Sequence, residues 1–431
     1  MIEAFEEGNM SLELDRRSFL KTAALSVGPA VIGARGANDK LQIGWIGVGT
    51  RGYAGLDWLH TAAGDDVRIT AICDTYQGYI ARAKDRLKTI WGDVPPAYND
   101  YRELLADKNV DAVFIMTPEH LHHDMTIAAL AAGKHVYIEK PLAHTIEEGF
   151  EIVRAWEKSG KIVQVGTQNR SSSLYKRAKE LVDQGMIGDV HFVRAFWYRN
   201  SLDNDPAWRY VIPPEATERN TDWNRFLGPA PKRAWSPERY FQWRLYWDYS
   251  GGISTDLLVH QTDIVNFMLS KTVPQTCTAS GGIYRWHDDR DTPDTFSAIY
   301  EYPGDLQINY SCYFGNVYYG YGEQLCGNEG TIEVMNRQDL YFTPETFGGK
   351  APAKVSARQP IHLNGKADFG ERDGAINHFR NFIRSVQGSE KPIAPPPIGQ
   401  QAAIGGHMAT LSFRNKKKAI WDQSANRCNL A

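Results

Sequence analysis

The chain has few features that would connect it to a metal, a disulfide framework, a nucleic acid or a repeat architecture. Its five cysteines are odd in number and none lies in a Cys-x-x-Cys pair, which indicates neither a zinc site nor a disulfide-based fold. The formal net charge of −3 gives no electrostatic reason to expect a nucleic acid or an anionic membrane as a partner. No internal repeat or low-complexity block is present, so a repeat array is excluded.

What is present is the composition of a globular protein with more than one core. At 431 residues the chain exceeds the usual size of a single hydrophobic core, so two domains are expected. Hydrophobic residues make up 42% and charged residues 23%, as in ordinary soluble proteins. The pattern divides the chain into a signal region (1–37), a nucleotide-binding domain (38–165) and a larger α+β domain (166–431).

The first region has the order of an export signal. Arg16 and Arg17 are followed by Ser-Phe-Leu-Lys and by a modestly apolar stretch, 22–34, too short to span a bilayer. This order resembles a twin-arginine signal, which carries folded proteins across the membrane. We expect cleavage near 34–37, a start at Met10 as an alternative to Met1, a periplasmic location and no stable membrane span after processing. The alternative is an ordinary basic N-terminus.

A glycine-rich turn opens the second region. The stretch LQIGWIGVGTRGYAGLDWL passes from an apolar strand through Gly47-x-Gly49-x-x-Gly52 into a helical pattern. Such glycines allow a tight turn, admit a pyrophosphate and let the helix pack against the strand. A second strand, VRITAIC, ends in Asp74, where a carboxylate can accept both ribose hydroxyls of NAD and would repel the 2′-phosphate of NADP. The pattern therefore predicts NAD as the cofactor.

Strands and helices continue to alternate as far as about residue 165. The later strands DAVFIM, KHVYI and IVQV complete a pattern typical of a doubly wound parallel sheet. In such sheets ligands bind beyond the carboxyl ends of the strands, and five of these ends carry polar or small residues. The residues predicted to bind the cofactor are Gly47, Gly49, Thr50, Arg51, Gly52, Asp74, Thr117, Pro118, His120, Glu139, Lys140 and Gln168.

The third region begins with a strand, DVHFVRAFWYR, and a loop-rich insertion of about residues 200–249. Six of the twelve tryptophans lie in or beside this insertion: Trp197, Trp208, Trp223, Trp235, Trp243 and Trp247. Their rings are suited to contact the C–H faces of sugars, or alternatively they form a small core under the insertion. Alternating stretches near 274–285, 294–301 and 305–313 predict antiparallel strands, so the expected fold is α/β, a parallel Rossmann sheet followed by an open, mainly antiparallel sheet.

A helical stretch from Asp256 to Met268 places an acid and a histidine one turn apart. Asp256 and His260 share a helix face, and Asp263 could extend it. An acid beside a histidine can fix the tautomer of an imidazole that titrates near neutrality. The alternative is a capping Asp and a buried structural His.

Together, the glycine turn, the Glu139-Lys140-Pro141 turn and the later Asp256-x-x-x-His260 resemble the glucose–fructose oxidoreductase/inositol dehydrogenase (Gfo/Idh/MocA) family over about residues 40–420. The stretch TPEHLHHDMTIAALAAGKHVYIEKPLA carries the most specific part of the resemblance. The resemblance implies that Lys140, Asp256 and His260 are catalytic. It also implies a sugar or polyol substrate and a homo-oligomer formed through the C-terminal sheet.

Lys140 would act where a sugar hydroxyl loses its proton while the adjacent carbon gives up hydride. It can lower the pKa of that hydroxyl or accept the proton itself, and His260 is the competing base. Glu139 would hold Lys140 or the nicotinamide ribose. No metal is needed, because hydride transfer is the cofactor's own chemistry.

Export restricts the function, because little free nicotinamide is available outside the cytoplasm. A retained cofactor has to return to its starting redox state within each catalytic cycle. We expect an NAD-dependent oxidoreductase acting on a sugar or polyol ring hydroxyl, with retained cofactor. The alternatives are a redox-assisted glycosidase, which oxidises, eliminates, hydrates and reduces, and a non-catalytic exported sugar-binding protein. The glycosidase needs a further base, for which His260 or a tyrosine of segment 240–249 is a candidate.

Overall fold

The structure, a computed structural model, describes residues 40–371 and 374–431. The predicted export signal, with Arg16 and Arg17, lies outside these residues.

The first part of the chain forms a parallel sheet of six strands in the order β3-β2-β1-β4-β5-β6. The strands are β1 (Leu41–Ile46), β2 (Val67–Cys73), β3 (Ala97–Tyr98), β4 (Ala112–Ile115), β5 (His135–Ile138) and β6 (Val163–Val165). All neighbouring pairs are parallel. The strand order reverses direction between β1 and β4, which is where such sheets open a crevice for ligands. The predicted doubly wound sheet is confirmed.

Helices connect and cover these strands. They are α1 (Thr50–Ala63), α2 (Gln77–Trp91), α3 (Tyr101–Ala106), α4 (His122–Ala131) and α5 (Ile146–Ser159). The last of these begins with a capping box, in which the Thr145 hydroxyl accepts from the Glu148 amide and the Glu148 carboxylate accepts from the Thr145 amide. This cap fixes the start of the helix close behind the Lys140 turn.

The core of the first sheet includes a helix from the far end of the chain. Trp45 and Phe114 stack with ring centroids 4.7 Å apart, and Phe114 stacks on Tyr137 at 4.9 Å. Phe379 meets Phe114 edge to face at 5.1 Å. Phe379 belongs to the helix Ala375–Val386, whose amphipathic sequence places its apolar face on this sheet.

The second sheet has ten strands in the order β14-β13-β12-β11-β7-β10-β9-β8-β15-β16. Its strands are β7 (Val190–Tyr198), β8 (Thr276–Gly282), β9 (Thr295–Tyr302), β10 (Leu306–Tyr313), β11 (Tyr321–Gly327), β12 (Gly330–Met335), β13 (Asp339–Pro344), β14 (Ile361–Asn364), β15 (Ala419–Asp422) and β16 (Arg427–Leu430). All pairs are antiparallel except β7 with β10. The mainly antiparallel second sheet is thereby confirmed.

Apart from the helix Ala375–Val386, which packs on the first sheet, the remaining helices pack on the second sheet or link it to the first. They are α6 (Ser173–Asp183), α7 (Trp223–Leu227), α8 (Pro237–Phe241), α9 (Val259–Leu269), α10 (Ala353–Ser356), α11 (Gly365–Phe369), α12 (Ala375–Val386) and α13 (Pro396–Asn415). A π-helical turn, Ser254–Leu258, precedes α9. The helix predicted from Asp256 to Met268 therefore starts earlier and begins in π geometry. π-helical turns are frequent at functional sites.

Candidate active site

One cavity lies between the two sheets, at the carboxyl ends of β1, β2, β4 and β5. The Gly47–Arg51 turn, Asp74, Glu139 and Lys140 line it on the side of the first sheet. Residues of β7, of the insertion and of the π-helical turn line the opposite side. We refer to it as the site cavity.

The glycine turn has the geometry that a dinucleotide requires. Gly47 has a φ of +90°, which other residues rarely adopt. A Cβ on Gly52 would lie 1.9 Å from the carbonyl oxygen of Gly47, so helix α1 can approach the strand only with glycine there. The first turn of α1 carries no acidic residue, leaving its amides and positive dipole end for a pyrophosphate.

Asp74 is held at the ribose end of this groove. Its Oδ2 accepts from the Val48 amide at 2.8 Å, and its Oδ1 accepts from the Tyr76 amide at 3.0 Å. The Tyr240 hydroxyl donates to the same Oδ1 at 3.1 Å and lies 2.8 Å from the Thr75 hydroxyl. Burial raises the pKa of Asp74 although these hydrogen bonds oppose the rise. The residues present therefore fit NAD, and Tyr240 adds a contact that sequence reasoning did not assign.

Ten of the twelve residues predicted to bind the cofactor line the site cavity, among them Gln168, whose buried Oε1 has no hydrogen-bond partner in the part of the chain that the structure describes. Gly52 and His120 do not line it. Gly52 instead allows helix α1 to pack against β1. The buried Nε2 of His120 lies 2.7 Å from the Phe226 carbonyl oxygen, so the structure corrects the expectation that it faces the cofactor. Glu119, beside it in sequence, lines the cavity instead.

Lys140 and Asp256 are in direct contact across the cavity. The Lys140 Nζ donates to the Asp256 backbone oxygen at 2.6 Å and to Asp256 Oδ1 at 2.9 Å. The Arg244 Nε donates to the same Oδ1 at 3.1 Å. Burial would raise the pKa of Asp256, but the charges of Arg244 and Lys140 hold it well below its ordinary value. The carboxylate therefore stays ionised and fixes the position of the lysine.

His260 lies beside this pair. It is 6% exposed, lines the cavity, and its buried Nδ1 has no hydrogen-bond partner among the described residues. Burial, with the nearby charges of Lys140 and Arg337, holds the pKa of His260 well below 6.5, while Asp256 opposes this shift. The imidazole is therefore neutral at physiological pH and can act as a general base.

Asp263, which could have extended the same helix face, does not join this group. Its two carboxylate oxygens accept from the Arg170 Nε at 2.8 and 2.9 Å, and both residues are buried. Asp263 does not line the site cavity. This ion pair anchors helix α9 against the turn that follows β6, so Asp263 has a structural position.

A buried carboxylate that the sequence did not single out supports the π-helical turn. Glu119 accepts from the Gly251 amide at 2.7 Å and from the Thr255 hydroxyl at 2.8 Å, and lies 3.0 Å from His144. Burial would raise the pKa of Glu119, but His144 and Thr255 hold it below its ordinary value. Glu119 thus connects the end of β4 to the turn that carries Asp256.

We expect Glu119→Gln to lower the free energy of unfolding by about 3 kcal/mol at neutral pH, because it breaks a buried, hydrogen-bonded charge pair. The measurement is urea unfolding, with the exposed Glu157→Gln as the control. Because the folded chain lowers the pKa of Glu119, its contribution is full above the ordinary carboxyl range and is lost as the pH falls through the folded pKa. The difference from wild type should therefore shrink in acid. Equal stability at neutral pH would contradict this role.

The tryptophans divide between the two expected roles. Trp197, Trp208 and Trp243 line the site cavity, whereas Trp223 and Trp235 pack against each other with ring centroids 5.5 Å apart. Trp247 packs against Phe413 and the Arg414 guanidinium. Three indoles therefore line the cavity, and the other three form the core of the insertion and its contact with helix α13.

The site cavity also contains arginines that sequence reasoning missed. Arg199 follows β7, Arg244 lies in the insertion, and Arg337 lies in the turn between β12 and β13. Arg244 stacks on Trp243, with its Cζ 4.2 Å from the ring centroid. Arg199 ends the predicted strand DVHFVRAFWYR and directly follows β7 in the structure, and this position could have indicated it from the sequence. No sequence spacing places Arg337 near Lys140.

A Rossmann sheet with a glycine turn and Asp74, facing an acid–histidine pair across a crevice, defines an NAD-binding oxidoreductase. Two family models match the chain. One, for the "oxidoreductase family, NAD-binding Rossmann fold" (GFO_IDH_MocA), matches residues 41–167, and the other, for the "GFO/IDH/MocA C-terminal domain", matches residues 226–333. Together they match more than half of the sequence. The chain belongs to the Gfo/Idh/MocA family.

Individual relatives agree with this assignment. The chain is 24% identical over 387 residues to a myo-inositol 2-dehydrogenase of Thermotoga maritima, covering 88% of this chain and 97% of that protein. It is 30% identical over 236 residues to a glycosyl hydrolase family 109 protein of Shewanella amazonensis, covering 46% of this chain and only half of that relative. A solved levoglucosan dehydrogenase with NADH and levoglucosan has the same fold, with a TM-score of 0.68, 18% identity and coverage of 89% and 100%.

Within residues 40–371 and 374–431, the helices are too short or too polar to cross a membrane.

Proposed function

We propose that this protein is an NAD-dependent oxidoreductase that oxidises a ring hydroxyl of a sugar or polyol, retains its cofactor between turnovers and returns the hydride to a second sugar. The observation that carries the proposal is the convergence of Lys140, Asp256 and His260 beside the cofactor groove. Bound NAD would supply the hydride acceptor, and the remaining chemistry belongs to these side chains.

In this proposal Lys140 and His260 have different roles. Lys140 already donates two hydrogen bonds to Asp256, so a substrate hydroxyl can receive the remaining N–H. The neutral His260 takes the proton of that hydroxyl while the carbon loses hydride, which leaves a carbonyl. Asp256 orients Lys140, and Arg244 helps to hold Asp256 in its ionised state.

Cofactor retention is supported by the insertion. Tyr240 and Phe241 line the cavity at its ribose end, where the Tyr240 hydroxyl contacts Asp74 and Thr75. Opening this end requires those hydrogen bonds and the packing of Phe241 against Tyr76 to be broken. Retention accords with our proposal, made from the sequence alone, that the protein is exported folded by the twin-arginine route to the periplasm.

A redox-assisted glycosidase is the second candidate, favoured by the likeness to the Shewanella amazonensis protein named for glycosyl hydrolase family 109. The tyrosines of segment 240–249 do not provide its additional base. Tyr240 is bonded at the ribose end, and neither Tyr246 nor Tyr249 lines the cavity. His260 would then have to serve both proton transfers, which makes the oxidoreductase the simpler proposal.

One experiment distinguishes the two candidates. The full chain, supplied with NAD, is incubated with inositols and free sugars and, in parallel, with their p-nitrophenyl glycosides. The oxidoreductase predicts up to one equivalent of reduced nicotinamide per chain with a single free sugar or polyol, its reoxidation when a second sugar is added, and no nitrophenolate. Nitrophenolate released catalytically without net reduction of NAD would support the glycosidase. Neither signal with any compound would contradict both.

A further inference from the structure

The wall of the site cavity on the second sheet contains two arginines beside the proposed reaction centre. The Cζ of Arg199 lies 4.7 Å and that of Arg337 lies 4.9 Å from the ring centroid of Trp197. The Trp197 ring is itself 5.9 Å from the ring of His260. Both guanidiniums therefore lie one ring away from the candidate base, on the opposite side of the cavity from the glycine turn of the first sheet.

These two arginines retain unused hydrogen-bonding capacity. The Nε and Nη2 of Arg337 are buried and have no hydrogen-bond partner among the described residues. Its side chain stacks on Trp197 and on Tyr321, with its Cζ 4.5 Å from the Tyr321 ring centroid. The Arg199 guanidinium contacts the Trp197 ring and forms no ion pair with residues 40–371 or 374–431. A buried donor without a partner is costly, so such donors are expected to meet an acceptor from a ligand.

The acidic side chains of the site do not offset this charge. Asp256 is shared by Lys140 and Arg244, and Glu139 is paired with Arg51. Glu323 is a carboxyl whose charge acts on Arg337. Burial raises the pKa of Glu323 to about 7, and its Oε2 accepts from the Tyr175 hydroxyl. The substrate side of the cavity therefore has more guanidinium than carboxylate charge.

Resting on the oxidoreductase function proposed above, we propose that the substrate is a sugar acid whose carboxylate is bound by Arg199 and Arg337. The planar guanidinium matches the two oxygens of a carboxylate, and aromatic stacking restricts its motion before the ligand arrives. A carboxylate held there would leave the sugar ring in the cavity, with a ring hydroxyl toward His260 and Lys140. This proposal names the substrate class that the oxidoreductase takes.

The test measures binding and turnover separately on the full chain with NAD present. Calorimetry compares glucuronate, galacturonate and mannuronate with the parent sugars and with glucose 6-phosphate, and the absorbance of reduced nicotinamide follows turnover. We expect at least one uronate to bind ten-fold or more tightly than its neutral parent. Arg337→Gln should weaken that uronate by about 10- to 100-fold, as for loss of a charged hydrogen bond, and weaken the neutral parent sugar by less.

Matched variants control for folding and for charge alone. Arg194→Gln changes an exposed arginine on β7, outside the site cavity, and should leave uronate binding unchanged. Arg337→Lys keeps the charge but not the planar fork, so it should recover part of the uronate affinity that Arg337→Gln loses. A folding defect would instead weaken the binding of uronates and neutral sugars alike.

The possible outcomes separate the carboxylate site from the oxidoreductase function on which it rests. Binding of no uronate, equal binding of neutral sugars, or stronger binding of glucose 6-phosphate would overturn the carboxylate site. Oxidation of a neutral sugar with no effect of Arg337→Gln would support the oxidoreductase and overturn the sugar acid. Arginine-dependent uronate binding without turnover would support the carboxylate site and contradict the oxidoreductase.

Discussion

With His260 replaced by alanine, kcat/KM for hydride transfer is expected to fall by about 10²- to 10⁴-fold, the usual contribution of a general base. The loss follows because His260 lines a cavity whose lysine is already engaged by Asp256. NAD affinity and the thermal unfolding temperature should remain close to wild type. The measurement is steady-state kinetics on the best substrate, with the exposed His287→Ala as the control.

The pH dependence provides a second measure of the same residue. The pKa of His260 is lowered by burial and by the charges of Lys140, Arg337 and Arg51, against the opposing effect of Asp256. Only the neutral imidazole can accept a proton, so kcat/KM should not fall between about pH 7 and about pH 6, where an ordinary histidine would begin to lose activity. A fall centred near the ordinary histidine pKa, or full activity in His260→Ala, would remove this base from the mechanism.

Replacing Lys140 with alanine is expected to lower kcat by about 10²-fold or more, with NAD binding retained. The variant loses the donor that polarises the substrate hydroxyl, and Asp256 keeps only its contact with Arg244. The comparison is with Lys158→Ala, an exposed lysine of helix α5. The ratio of effects on kcat and KM is informative, because an interaction made only in the transition state lowers kcat without raising KM.

Activity of Lys140→Ala within a few fold of wild type would show that hydride transfer does not depend on this lysine. If Lys140→Ala lost activity while His260→Ala kept it, Lys140 would be the base and the division of roles proposed here would be reversed.

The first sheet could be predicted from the sequence because the features that determine it are local. Each strand is a short apolar run that ends in a turn signal, and Gly47 and Gly52 satisfy constraints that only glycine meets. The meeting of Asp74, Glu139 and Lys140 follows from topology alone, since parallel strands present their carboxyl ends at one edge. The strand pattern is therefore sufficient to group these three residues at one site.

The residues on the opposite side of the site could not be predicted in this way. Arg337 reaches Trp197 only because β11 pairs with β7 and β12 pairs with β11, and these pairings join residues far apart in the sequence. Helical spacing placed Asp263 near His260. In the structure Asp263 instead forms an ion pair with Arg170, which lies in the turn after β6. Aromatic content left open whether the tryptophans contact a sugar or form a core. Only tertiary packing separates Trp243, which lines the cavity, from Trp235, which packs against Trp223.

The measurement that tests the central claim most directly is the identity of the nucleotide carried by the purified protein. The full chain is produced in a strain with an intact export system, denatured, and the released small molecules are identified by mass. We expect about one NAD or NADH per chain, because the groove fits NAD and Tyr240 and Phe241 line its ribose end. A protein that arrives empty and takes up no NAD when it is added would contradict the enzymatic account.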